Sequence, residues 1–126
     1  MNSQELKDKS KQFALRVIKL TDSLPRTRAA DVIAKQVLRS ATSVGANYRA
    51  ACRARSKADF VSKITIVEEE ADESLYWLEI IKDSGLIKPE RLQEIMKEAD
   101  ELVAIFTSSG KTAKQNNPKS TIRNPK

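Results

Sequence analysis

Apolar residues recur at helical spacing in four successive segments of the chain, and none of these segments alternates with period two for long. Spacings of three, four and seven residues place the apolar side chains along one face of a helix. The pattern predicts helices over about 3–23, 26–55, 57–84 and 89–109. The predicted core positions are Leu6, Phe13, Val17, Leu20, Leu24, Ile33, Val37, Ala41, Val44, Tyr48, Ala51, Phe60, Ile64, Val67, Ala71, Leu75, Leu78, Leu92, Ile95, Ala99, Leu102 and Phe106.

Proline, glycine and a capping serine separate these segments. Pro25 and Pro89 each stand where a new helix begins, because proline is tolerated in the first helical turn but not further inside a helix. Ser56 precedes the third segment as an N-cap, and Gly85 ends that segment. Gly45 lies inside the second segment, where it permits a close helix crossing. Short connections make neighbouring helices antiparallel, so we predict an all-α, up-down-up-down four-helix bundle.

The composition narrows the chemistry. The chain has 126 residues, no His and one Cys. Without His there is no Ser-His or Cys-His nucleophile pair, and neither a His-containing zinc site nor a four-thiolate site can be built. The glycine motifs of nucleotide-binding loops are absent from the sequence. We therefore expect a non-enzymatic protein without metal or cofactor; the alternative is an enzyme whose acidic third helix binds a divalent metal.

The sequence carries no apparent membrane or export signal. No apolar run approaches the roughly 20 residues of a membrane span, and the N-terminal residues lack the apolar stretch of a secretory signal. We therefore expect a cytoplasmic protein with no membrane partner. Residues 110–126 contain five basic residues and no acidic one. This composition predicts a disordered basic tail behind a bundle domain over residues 1–109.

Charge is distributed unevenly between the helices. Residues 26–57 contain eight basic residues and one acidic residue, whereas residues 58–83 contain two basic and eight acidic residues. Five basic residues of the second helix fall within about a quarter-turn of one another, opposite its apolar face. This cationic stripe comprises Arg28, Lys35, Arg39, Arg49 and Arg53. Arginine binds phosphate bidentately, so the stripe is a candidate nucleic-acid-binding track; the alternative is a solvated face or a set of partners for the acidic helix.

The third predicted helix carries a second stripe beside its apolar one. This stripe comprises Lys63, Ile66, Glu70, Glu73, Trp77 and Ile80. So wide a face indicates a helix that is buried on two sides, and we predict that Ile66, Trp77 and Ile80 contact another subunit of a homo-oligomer.

Glu70 and Glu73 are candidates for a partly buried polar layer, in which one of them pairs with a residue nearby. The candidate partners are Arg39, Lys63 and Asn47. Ser40, Ser43 and Asn47 lie on the inner edge of the second helix, where they can supply the layer. Arg39 is close to this layer, so we expect it to have a structural role that Arg49 and Arg53 lack.

Three blocks on the second and third helices resemble one protein family. They read RSATSVGANY at 39–48, SKADFVSK at 56–63 and EADESLYWL at 70–78. In these blocks the chain resembles the four-helix-bundle proteins encoded within 23S rRNA intervening sequences of bacteria, and the resemblance extends over about residues 5–107. Members usually carry Glu after the Asn-Tyr pair, whereas this chain has Arg49, Ala50 and Ala51 there, which makes the helix more basic.

The resemblance implies an antiparallel bundle that assembles as a ring-like homopentamer. It also implies that Ser43, Asn47, Glu70 and Glu73 form the polar layer of the family motif. A related branch, the accessory variability determinant proteins of diversity-generating retroelements, is a basic pentameric barrel that binds nucleic acid and a reverse transcriptase. We therefore expect an oligomer that binds RNA or another nucleic acid. The alternative is a scaffold for a protein partner, such as a reverse transcriptase, with charge segregation serving assembly.

Overall fold

The chain forms four α-helices and no strand within residues 1–115, the part that the computed structural model describes. The helices are α1 (Ser3–Thr21), α2 (Arg28–Cys52), α3 (Lys57–Asp83) and α4 (Gln93–Gln115). A short 3-10 turn at Pro89–Arg91 precedes α4. The prediction of an all-α chain with four helices is confirmed. Over the same residues, no helix carries an apolar stretch long enough to cross a bilayer.

Three of the helices begin with a side chain that caps the first turn. Asn2 Oδ1 accepts the backbone N–H of Glu5 at 2.8 Å and Glu5 Oε1 accepts that of Asn2, so α1 opens with a capping box. Thr27 caps α2. Ser56 caps α3, with its Oγ 3.0 Å from the backbone nitrogen of Asp59, as the sequence predicted.

Gly85 ends α3 with a φ of +76°, a conformation that glycine adopts without strain. Its backbone N–H donates to the carbonyl of Lys82 at 3.1 Å, and the N–H of Leu86 donates to the carbonyl of Ile81 at 3.2 Å. These two bonds form a Schellman motif, which satisfies the last carbonyls of the helix. The predicted end of the third helix is confirmed.

The predicted apolar faces meet in one core. Tyr48 of α2 and Phe106 of α4 contact each other across it, with ring centroids 5.2 Å apart. Most predicted core positions are buried, and the others pack against the edge of the core; these are Leu20, Ile33, Phe60 and Leu75. The sequence did not predict that Ser10 and Ser74 are also fully buried. Each of these two hydroxyl groups donates to a backbone carbonyl of its own helix.

Consecutive helices pack side by side, and α1 also contacts α4, which closes the bundle. Lys9 Nζ lies 3.1 Å from Glu101 Oε1, and Arg16 pairs with Glu98 further along α1. Because the partner's number falls as the number on α1 rises, α1 and α4 are antiparallel.

Predicted helix boundaries were wrong in three places. The second helix spans 28–52 rather than 26–55, so Arg53 is its C-cap. The fourth helix begins after the 3-10 turn rather than at Pro89, which occupies the first position of that turn. This helix also continues beyond Gly110, where we expected the tail to begin. Gly110 is buried against the Glu68 carboxylate and Ala113 packs against the core, so this turn contributes to the bundle. The rest of the predicted tail, residues 116–126, lies outside the described residues.

Candidate nucleic-acid interface

The five side chains of the cationic stripe are all exposed; four lie on α2, and Arg53 is the C-cap residue that follows it. The opposite face of the same helix is buried, with Val37 and Val44 wholly inaccessible to solvent. Core packing of that apolar face therefore fixes the rotation of α2 and directs the stripe outward.

Arg39 differs from the rest of the stripe because its guanidinium group forms ion pairs with two carboxylates of α3. Its Nη1 lies 3.2 Å from Glu70 Oε1, and its Nη2 pairs with Glu73. These hydrogen bonds, above all the one with Glu73, raise the pKa of Arg39. The Arg39 side chain is still 47% exposed, so solvent screens the network.

Glu73 connects Arg39 to the only tryptophan of the chain. Trp77 Nε1 donates to Glu73 Oε2 at 3.0 Å, and Tyr76 packs edge-on against the Trp77 ring. The hydrogen bond from Trp77 and then the bond from Arg39 lower the pKa of Glu73. The network therefore holds Glu73 in its charged form.

The other residues of the predicted polar layer bond elsewhere. Ser43 Oγ donates to the carbonyl of Arg39 at 2.7 Å, and Asn47 Nδ2 donates to that of Ser43 at 2.8 Å, so both satisfy the backbone of α2. Lys63 pairs with Asp59 one turn earlier, at 2.6 Å. Of the three candidate partners for the carboxylates of α3, the structure therefore selects Arg39. No group of three or more Cys, Asp or Glu side chains within residues 1–115 is arranged to hold a metal ion.

The remaining four cations of the stripe have no acidic partner within 4 Å among the described residues. They are Arg28, Lys35, Arg49 and Arg53. Because these charges are exposed and uncompensated, they can neutralise phosphate groups without first breaking an ion pair.

A groove between α1 and α2 adds two cations that the sequence analysis did not single out. Lys7 and Lys11 of α1 line it together with Arg49, and its volume is about 420 Å³. Gly45 lies at its floor, where an added Cβ would be 3.2 Å from Ser10 Oγ. The two lysines are one turn apart on α1, and that spacing together with Gly45 was the available sequence signal.

The sequence profile of 23S rRNA-intervening sequence proteins matches residues 2–108. The chain belongs to the 23S rRNA-intervening sequence protein family. It is also 39% identical to a solved protein of unknown function from the S23 ribosomal protein family of Bacteroides thetaiotaomicron VPI-5482. That likeness covers 88% of this chain and 99% of the other, with a TM-score of 0.80. Among curated proteins, none matches the chain.

The sequence blocks that carried the resemblance coincide with internal contacts of this 23S rRNA-intervening sequence protein. Block 39–48 contains Arg39 and Gly45, and block 70–78 contains both carboxylates that bind Arg39. The cations Arg49 and Arg53 lie outside the blocks, in the last turn of α2 and at its C-cap. Two of the three blocks therefore contain helix–helix contacts of the bundle, and the uncompensated charge extends beyond them.

Proposed function

We propose that this protein is a non-enzymatic, cytoplasmic protein that binds RNA through the exposed cations of α2. The observation that carries the proposal is the contrast within the stripe: Arg39 is neutralised by carboxylates of α3, whereas Arg49 and Arg53 have no acidic partner among residues 1–115. A basic surface that persists after internal pairing attracts a polyanion. The excess of basic residues, which gives the chain a net charge of +6, acts in the same direction.

The mode of binding that this surface favours is contact with the phosphate backbone. Base-specific recognition of single strands uses exposed aromatic side chains on which bases stack. Tyr48 and Phe106 are buried in the core, and the exposed Tyr76 lies on α3 against Trp77 rather than on the cationic stripe. Binding should therefore depend strongly on salt and weakly on sequence.

The test is the double substitution Arg49→Ala plus Arg53→Ala. With each phosphate contact worth a log–log salt slope of about −0.7 for single strands, we expect weaker binding and a slope reduced by about 1–2. Fluorescence anisotropy with a labelled single-stranded RNA, repeated over a salt series, measures both quantities. A matched control, Lys82→Ala plus Lys97→Ala, removes the same charge from α3 and α4 without breaking an ion pair and should have a smaller effect.

The alternative to RNA binding is a scaffold for a protein partner. Unchanged affinity and salt slope in the Arg49/Arg53 variant would make the stripe a solvated face and would favour this scaffold.

Self-assembly is compatible with both functions. The support for a homo-oligomer, which the resemblance makes a ring-like pentamer, is the exposure of large apolar side chains on α2 and α3: Ile66 is 39% exposed, Tyr76 52% and Val32 54%. Light scattering that gave the 14.1 kDa of a monomer would contradict it.

A further inference from the structure

We propose that the groove between α1 and α2 is a phosphate-binding site, in which Lys7 and Lys11 on one wall and Arg49 on the other hold the backbone of a nucleic acid. The inference rests on the proposed RNA binding and extends it from a single helix to a site built by two helices. It also assigns a role to the two lysines of α1.

The groove exists because the residues at its floor are small. Gly45 brings α2 against Ser10 of α1, with an added Cβ only 3.7 Å from the backbone nitrogen of Lys11. Ala14 and Ala46 continue the floor with side chains of a single carbon. Long cationic side chains therefore rise on both sides of a shallow floor, which leaves room for a phosphate group between them.

The charge of the groove is positive on balance. Its three cations face one acidic residue, Asp8, whose Oδ1 already accepts a hydrogen bond from Gln4 Nε2 at 3.1 Å. Neither Lys7 nor Lys11 has an acidic partner within 4 Å in the described part of the chain. The groove therefore attracts an anion from solution without displacing an internal one.

The chemistry of the lining selects phosphate groups rather than a small apolar ligand. No aromatic side chain lines the groove. The hydroxyl groups are also used internally, since Thr42 Oγ1 donates to Leu38 O at 2.7 Å and Ser10 Oγ to Leu6 O at 2.8 Å. The cationic side chains are left to make the binding contacts, and point-like ammonium groups with an arginine fork suit phosphate oxygens.

The sharpest test fills the groove without changing its charge. Ala46 is exposed and helical, so Ala46→Leu should fold, while its larger side chain occupies the floor. We expect RNA affinity to fall about three- to ten-fold, as for the loss of one or two phosphate contacts. The matched control is Ala104→Leu, which fills a groove of about 450 Å³ on α4 whose charged residues are Asp100 and Lys111. This control should bind RNA like the parent protein.

A second pair of variants changes the charge. Lys7→Gln plus Lys11→Gln should weaken RNA binding and reduce the salt slope by about 1, whereas the equally charged control Lys82→Gln plus Lys97→Gln should change neither by as much. Inorganic pyrophosphate then serves as a minimal probe, because its NMR titration should shift the amide signals of Gly45 and Ala46 most strongly.

The outcomes separate this inference from the proposed function. If the groove variants bind RNA normally while the Arg49/Arg53 variant is weak, RNA binding stands and the groove site is wrong. If the parent protein fails to bind RNA but pyrophosphate shifts the groove amides and the lysine variant abolishes those shifts, the phosphate site stands and the RNA function is wrong. Pyrophosphate shifts that are absent, or spread evenly over all cationic surfaces, overturn the groove site.

Discussion

Helix α2 packs against α3 on one flank and against α1 on the other, and the two contacts involve different kinds of residue. Toward α3, the contact includes long charged side chains, with Arg39 bonded to Glu70 and Glu73. Toward α1, the contact is close because Gly45 has no side chain and lies against the buried Ser10. The contact with α3 pairs a positive charge with carboxylates. The contact with α1 leaves a groove lined by cations that have no acidic partner.

This difference shows that cations on one helical stripe are not equivalent. Arg39 and Arg49 project from the same side of α2, and both are arginines. What separates them is the neighbouring helix, because α3 carries carboxylates at the level of Arg39, whereas α1 offers Lys7 and Lys11 beside Arg49. The contact with α3 therefore pairs the charge of Arg39 internally, whereas Arg49 beside α1 stays a candidate for ligand binding.

The largest expected effect is on stability, when a side chain is added at Gly45, where α2 contacts α1. In Gly45→Leu, the Cβ meets Ser10 Oγ at 3.2 Å, which is tighter than ordinary van der Waals contact, so Ser10 or the α1 backbone must shift. Overpacking of this kind costs about 1–3 kcal/mol, partly offset by the gain of about 1 kcal/mol when glycine leaves a helix. We expect the free energy of unfolding to fall by about 2 kcal/mol, near the upper end of that net range, because Ser10 is fully buried and its Oγ is already bonded to Leu6 O.

Chemical denaturation of Gly45→Leu beside Ala46→Leu measures this effect. The second variant places the same side chain one residue further along, at an exposed position, and should change the free energy of unfolding by less than about 0.5 kcal/mol. Equal stability of the two variants would show that α1 and α2 do not approach each other closely at Gly45.

The fold of this chain follows closely from local sequence. Helical periodicity located the core. The caps at Ser56 and Gly85 marked the two ends of α3, because each cap forms hydrogen bonds with residues close to it in sequence. The end of α4 was missed because it depends on tertiary contacts. A glycine in a polar stretch indicates a helix end, yet Gly110 is buried against Glu68 of another helix.

The candidate site was less predictable than the fold. Helical projection placed all five cations of the stripe on one side of the second helix; all five are exposed, but Arg53 follows the end of α2 as its C-cap. The choice of Arg39 among three candidate partners for the carboxylates depends on the distance between α2 and α3, which a single sequence does not contain. The same holds for Lys7 and Lys11, whose proximity to Arg49 depends on how closely Gly45 lets two helices approach.

A smaller effect, on RNA affinity, should follow when the carboxylates that pair with Arg39 are removed. In Glu70→Gln plus Glu73→Gln, the guanidinium group loses its ionic partners and joins the uncompensated cations of α2. We expect RNA affinity to rise about two- to five-fold and the salt slope to steepen by about 0.7, the value of one added contact. Anisotropy titrations at several salt concentrations give both numbers.

The control for this prediction is Glu69→Gln plus Asp72→Asn, which removes two exposed carboxylates of the same helix without touching Arg39. If it raises affinity as much as the first variant, the gain reflects net charge alone, and the contrast between the two flanks does not govern binding.

The smallest effect concerns the protonation of Glu73. Because its pKa is lowered in the folded protein, the unfolded state binds more protons as the pH falls toward and below the ordinary value of 4.5. The contribution of Glu73 to stability is therefore present above that pH and is lost as the pH falls through the folded pKa. Since Arg39 is 47% exposed and Glu73 36%, the contribution should stay below about 1 kcal/mol.

The single tryptophan reports this titration directly, because Trp77 Nε1 donates to the Glu73 carboxylate. We expect the emission of Trp77 in the folded protein to change with a midpoint below pH 4.5, and the change to vanish in Glu73→Gln. Glu70→Gln keeps the contact with Trp77 and should retain the transition, because Arg39 still bonds Glu73. A midpoint at or above 4.5 would mean that neither Trp77 nor Arg39 stabilises the Glu73 carboxylate in solution, and that Glu70 alone pairs with Arg39.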